Sequence, residues 1–211
     1  MSNQPLGTVI LIHGLWMRGL EFFWMRRHLQ ALGYQVAVFR YATVRVALTQ
    51  STESLYHLWR HIPPPVYLLG HSLGGLLALH LLHRYEETRG SRLVAVGTPF
   101  LGSHSARILS RLPWVGRRVL GGSLDNGLLY GGPNRVPDGC QVGVVAGTLS
   151  VGFSRALFAL ESPNDGTVAV AETQLPGAQV VQLPHTHMGL VVSRRVVELA
   201  CDFFKEGLFH E

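Results

Sequence analysis

With 211 residues, 47% of them apolar, the chain is long enough to bury one substantial core and short for two, so a single domain over 1–211 is expected. Its formal charge of +5 is almost all arginine, Lys205 being the sole lysine. The basic residues are scattered as pairs (Arg26 and Arg27, Arg117 and Arg118, Arg194 and Arg195) instead of forming one run among aromatics, which argues against nucleic acid as a partner. Cys140 and Cys201 have neither metal-ligand nor disulfide-framework spacing, which favours a reducing, cytoplasmic setting.

In chain order, Met1 to Gly7 lack the basic start and long apolar core of a secretory leader, so export by that route is not expected. A first strand is predicted at Thr8–Ile12, a helix over Gly19–Leu32, a strand at Gln35–Phe39 and a helix over Leu48–His61. Val66–Leu82 approaches membrane-spanning length, but Gly70 to Gly75 interrupt it and three prolines precede it. The better reading is a buried strand, Val66–Leu69, followed by a buried helix, Leu73–Arg84, with no stable membrane insertion. A strand at Leu93–Val96 leads into Gly97–Gly139, a glycine- and proline-rich insertion with one short amphipathic stretch, Ser103–Leu112. An insertion of that size is expected to border the site as a lid or cap. Strands at Gln141–Ala146 and Gln179–Leu183 and a helix over Gly189–Lys205 complete the chain.

The strands are continuously apolar, as a parallel sheet covered on both faces requires. Their alternation with helices predicts an α/β fold, a doubly wound and mainly parallel sheet whose ligands bind beyond the carboxyl ends of the strands. Gln35–Phe39 is expected near an edge, which permits dimers without demanding them, so the oligomeric state stays open.

Gly70-His71-Ser72-Leu73-Gly74 carries the strongest chemical signal, because it falls where a predicted strand turns directly into a predicted helix. A serine on so sharp a turn projects its hydroxyl from the sheet top, and flanking glycines let the helix approach the strand. The main-chain N–H of Leu73, and that of Leu15 in His13-Gly14-Leu15-Trp16 after the first strand, are expected to hold an oxyanion. His13 is expected to brace that loop. Trp16 either closes a core corner or lines the pocket, and with His71 it is a candidate substrate-binding residue.

A general base is needed from a later loop, and His185 and His187 both follow the last strand; spacing alone does not choose between them. Most other histidines fall in predicted helices. Of the four aspartates, Asp165 in Pro163-Asn164-Asp165-Gly166-Thr167 precedes the histidine loop, although Asn-Asp-Gly is also a strong turn signature and Asp165 would serve equally as a helix cap.

Tyr67-Leu68-Leu69-Gly70-His71-Ser72-Leu73-Gly74-Gly75 resembles the nucleophile elbow of bacterial lipases and esterases of the α/β-hydrolase superfamily. His13-Gly14-Leu15 is similar to their oxyanion loop, Gly97-Thr98-Pro99 to the segment after their next strand, and Asn164-Asp165-Gly166-Thr167-Val168 to their acid turn. His187-Met188-Gly189-Leu190-Val191-Val192-Ser193 matches the pattern after the base in the small members, and this likeness favours His187 over His185.

The resemblance implies a compact α/β-hydrolase fold and a Ser72, Asp165, His187 triad that cleaves small-molecule acyl esters through an acyl-enzyme, without metal or organic cofactor. Acyl transfer to an alcohol or thiol acceptor, or thioester hydrolysis, would use the same triad. The insertion lacks the long apolar helices of lipases that open on oil droplets. Soluble short or medium esters are therefore expected, with Ile108, Leu109, Leu112, Pro113 and Trp114 available for a modest apolar cap.

Overall fold

β-Branched and apolar side chains dominate six short runs, and in the computed structural model, which describes residues 4–111, 127–151 and 160–210, these runs form one sheet. They are β1 (Thr8–Ile12), β2 (Gln35–Phe39), β3 (Val66–His71), β4 (Arg92–Val96), β5 (Gln141–Gly147) and β6 (Gln179–Leu183). Every pairing is parallel, in the order β2-β1-β3-β4-β5-β6. β1, β3, β4 and β5 bury both rows of side chains, whereas β2 and β6 lie at the edges and are partly exposed.

Helices cover both faces. α2 (Leu48–Trp59) and α3 (Leu73–Arg84) pack with Ile10, Ile12, Leu68 and Leu93 on one side. α1 (Phe23–Ala31) and α6 (Arg194–Glu206) pack with Val9, Leu11, Leu69 and Val94 on the other, where Phe203 and Phe204 of α6 are fully buried. Parity along β1 thus assigns alternate residues to opposite cores. α3 is apolar almost all round because it is buried almost all round.

Three expectations change in detail. The first predicted helix opens as a 3₁₀ turn at Leu20–Phe22 before α1. The last splits into α5 (His187–Val191) and α6, since Thr186 and Ser193 each cap a helix start, their hydroxyls accepting from Gly189 N–H at 3.0 Å and Val196 N–H at 3.4 Å. The short helix of the insertion, α4 (His104–Ser110), is capped by Ser103. At the root of α4, Ser103 N–H donates to Leu128 O at 2.7 Å and Phe100 is buried. Leu112, Pro113, Trp114 and Asp125 lie outside the described residues. Among the described residues no helix is long and apolar enough to cross a membrane, and Val66–Leu82 resolves into β3, a turn and α3.

The chain runs from β1 out to the edge at β2, then back across β1 to β3. This reversal brings the carboxyl ends of β1 and β3 side by side, in the register Ile12 opposite Gly70. A switch point of this kind opens a crevice above the sheet.

Candidate active site

Ser72 occupies the single residue between β3 and α3 with φ 54° and ψ −119°, a conformation that costs a non-glycine residue roughly 1–3 kcal/mol. The surroundings enforce it. Ser72 N–H donates to Val96 O at 2.9 Å, and Gly75 N–H closes back on Ser72 O at 3.0 Å. Gly74 lies against the Ile12 carbonyl and Gly75 against the Thr98 hydroxyl, so closely that neither position has room for a Cβ.

The acid turn lies across the crevice. Asn164 Oδ1 accepts from Gly166 N–H at 3.0 Å, which shapes the turn. Asp165 is 2% exposed and divides its carboxylate between two tasks. Oδ1 accepts from Thr167 N–H at 2.9 Å and Val168 N–H at 2.7 Å, and Oδ2 accepts from His187 Nδ1 at 2.7 Å. One oxygen of Asp165 thus bonds its own turn and the other bonds His187. His187 N–H also donates to Asp165 O at 3.0 Å, so main chain and side chain register the histidine together. With its proton on Nδ1 toward the carboxylate, His187 keeps Nε2 as an acceptor. His185 makes no bond to Asp165; its N–H donates to Leu183 O at 2.7 Å and its carbonyl accepts from Leu149 N–H at 3.2 Å.

The loop after β1 approaches Ser72 closely: a Cβ on Gly14 would stand 3.2 Å from Ser72 Cβ. His13 is fully buried and braces this loop, with Nδ1 donating to Gly14 O at 3.0 Å and Nε2 accepting from Tyr41 N–H at 3.3 Å. Burial pushes its basicity down, in keeping with an Nε2 that must stay an acceptor. Tyr41 stacks on the His13 ring and donates its hydroxyl to His13 O at 2.9 Å. Neither Leu15 N–H nor Leu73 N–H hydrogen-bonds to another of the described residues.

Ser72 and His187 share a cavity of about 280 Å³ walled by Leu15, Trp16, Ala106, Leu109, Leu128 and Met188. No hydrogen bond joins Ser72 to His187. Trp16, more than half exposed at φ 61°, stands at the rim and donates its N–H to Thr43 Oγ1 at 3.2 Å. His71 borders the cavity but is only 1% exposed; its Nε2 donates to His187 O at 3.2 Å and its ring lies 4.6 Å from that of His187. Burial, and then the neighbouring His187, hold its pKa well below the usual histidine value.

Several supporting residues carry no role in the sequence reading. Gly97, at φ 56°, leaves the space His187 and Asp165 need, since a Cβ there would stand 3.0 Å from His187 Nδ1. Ser105 on α4 donates to Thr167 O at 2.6 Å, and Glu172 bonds both α4 and the turn after Asp165. Gly97 has a visible signal in Gly-Thr-Pro. The others depend on partners far away in sequence.

No protein-family model matches the chain, and no curated protein sequence does. Solved structures match over nearly the whole length. A metagenomic carboxyl esterase is 17% identical at TM-score 0.72, covering 99% of this chain and 77% of that one. The mature form of a Bacillus licheniformis lipase is 19% identical at TM-score 0.70, covering 97% and 92%. A pyrethroid hydrolase is 17% identical at TM-score 0.63, covering 95% and 98%. Strand order, the serine on the β3–α3 turn and these full-length superpositions show that the chain has the α/β-hydrolase fold.

Proposed function

We propose that the chain is a serine hydrolase of carboxylic esters. The observation that carries this reading is the buried His187–Asp165 pair, bonded at 2.7 Å and opening on the same cavity as a serine held in a strained turn. Similarity to structures described as an esterase, a lipase and a pyrethroid hydrolase supports the same chemistry.

In the proposed reaction Ser72 Oγ attacks the ester carbonyl while His187 Nε2 takes its proton. Asp165 holds the imidazole orientation and stabilises the imidazolium. The Leu15 and Leu73 N–H groups supply the oxyanion hole, the second from the start of α3. The alkoxide leaves with the proton from His187. Water, deprotonated by the same histidine, then attacks the acyl-Ser72 ester, releasing the acid and restoring the serine. The apolar walls and modest cavity favour small acyl esters.

The test is hydrolysis of p-nitrophenyl esters from acetate to palmitate, beside Ser72→Ala. Turnover is expected to fall by about 10⁴ to 10⁶ in the variant, with loss of fluorophosphonate labelling. Equal rates in the two proteins would overturn the assignment of Ser72, and an inert wild type would overturn ester hydrolysis.

A further inference from the structure

Apart from Asp165, Glu172 is the only buried carboxylate among the described residues, and the proposed reaction gives it no task. Burying a charge is costly unless hydrogen bonds replace its water. Glu172 has them from two directions. Oε2 accepts from Ala169 N–H at 2.9 Å, on the segment that carries Asp165. Oε1 accepts from His104 N–H at 2.5 Å, the first residue of α4, with Arg107 Nη2 at 3.7 Å from the same oxygen. The Glu172 carbonyl accepts from Leu101 N–H at 3.1 Å, and Arg107 Nη1 reaches Leu129 O at 3.2 Å. The Glu172 side chain therefore ties the acid segment to α4, and Arg107 carries the tie on to Leu129.

α4 needs that tie. It has seven residues, well short of a length that holds a helix by itself, and only Ser105 and Ala106 are buried. Ala106 and Leu109 nevertheless form one wall of the cavity. Besides the packing of Ala106 and Leu109 on the core, this wall is held by hydrogen bonds from the acid segment, through Glu172 and through Ser105 to Thr167.

We infer that Glu172 is a positioning residue that sets the chain-length selectivity of the site by clamping α4 against the acid turn. The inference rests on the ester-hydrolase reading. An acetyl group ends beside Ser72, whereas a longer chain reaches the cavity walls, to which α4 contributes Ala106 and Leu109. Asp165 keeps its own bonds from Thr167 and Val168 when Glu172 is replaced, so loosening α4 acts on the long chain more than on the chemistry.

The experiment compares kcat/KM for p-nitrophenyl hexanoate and acetate in wild type, Glu172→Ala and Glu172→Gln, with thermal unfolding of each. The hexanoate-to-acetate ratio is expected to fall about tenfold or more in Glu172→Ala, mainly through KM. Glu172→Gln should fall between, since one amide oxygen accepts from only one of the two N–H donors. If the alanine variant does not fold, the isosteric glutamine variant carries the test. A general loss of folded enzyme lowers both esters equally; an unchanged ratio with an active wild type sinks this inference alone. A wild type inert toward both esters sinks the ester reading and this inference together.

Discussion

The serine half of the candidate site is carried by the centre of the sheet, whereas its acid-base half hangs from connections beyond β5 and β6. Ser72 and the Gly14–Leu15 loop follow β3 and β1, whose register is fixed by a ladder of main-chain bonds and by helix α3 pressed against Ile12 and Thr98. Asp165 and His187 are placed by side chains and isolated amides, including Asn164 on Gly166, Asp165 on Thr167 and Val168, and Ser105 on Thr167. The first half is positioned by steric exclusion, the second by a hydrogen-bond network. Steric damage should therefore unfold the protein, and loss of a network atom should cost rate before stability.

Asp165→Asn gives the largest expected effect on the network side. The amide cannot hold the His187 tautomer as the carboxylate does, and kcat/KM is expected to fall by about 10⁴, equivalent to about 5.5 kcal/mol. The unfolding midpoint should drop by only several degrees, because Asn can still accept from the turn N–H groups. Stopped assays and a thermal melt on one preparation check both; a melt that collapses with the rate would break the distinction.

Gly74→Ala is the matching change on the steric side. Its Cβ has no room against the Ile12 carbonyl, and backbone cannot rotate away as a side chain can. A stability loss of about 3 kcal/mol is expected from urea denaturation. Retention of wild-type stability would show that α3 can slide on the sheet and that steric exclusion does not fix Ser72.

Tyr41→Phe tests a hydrogen-bonded brace within the serine half. It deletes the hydroxyl that donates to His13 O at 2.9 Å while keeping the ring stacked on His13. Stability should fall by about 1 kcal/mol, and kcat by about tenfold as the Gly14–Leu15 loop, proposed to hold the oxyanion, loosens. A change in KM alone would indicate that the loop binds ester without holding the oxyanion.

This difference in construction also explains what the sequence reveals. Continuous apolar runs mark strands because a parallel sheet buries both faces, and Gly-x-Ser-x-Gly is legible because each of its residues answers a local steric demand. The split between α5 and α6 is harder to read, since Thr186 and Ser193 act as caps within one amphipathic stretch. The choice of His187 over His185 is not local at all: two residues apart on the same loop, they differ in whether the chain folds back to Asp165. Tyr41 and Glu172 are silent for the same reason, their partners lying 28 and 68 residues away.

The last prediction concerns His71, which belongs to both halves: it precedes Ser72 in β3 and donates to the carbonyl of His187. Its folded pKa is depressed by burial and by His187, while the unfolded chain protonates it near 6.5. Between those values the unfolded state binds the extra proton, so stability rises with pH across this window. The contribution is complete above about pH 6.5 and is lost as pH falls toward the folded value, at up to about 1.4 kcal/mol per pH unit. His13 and His80 are shifted in the same direction and add to the slope. His71→Gln keeps a donor for the His187 carbonyl and removes the titration, so its stability curve between pH 6.5 and 5 should be flatter than that of wild type. Parallel curves from denaturant titrations at several pH values would mean that His71 gains access to water before it protonates, and that the seam between the two halves opens under mild acid.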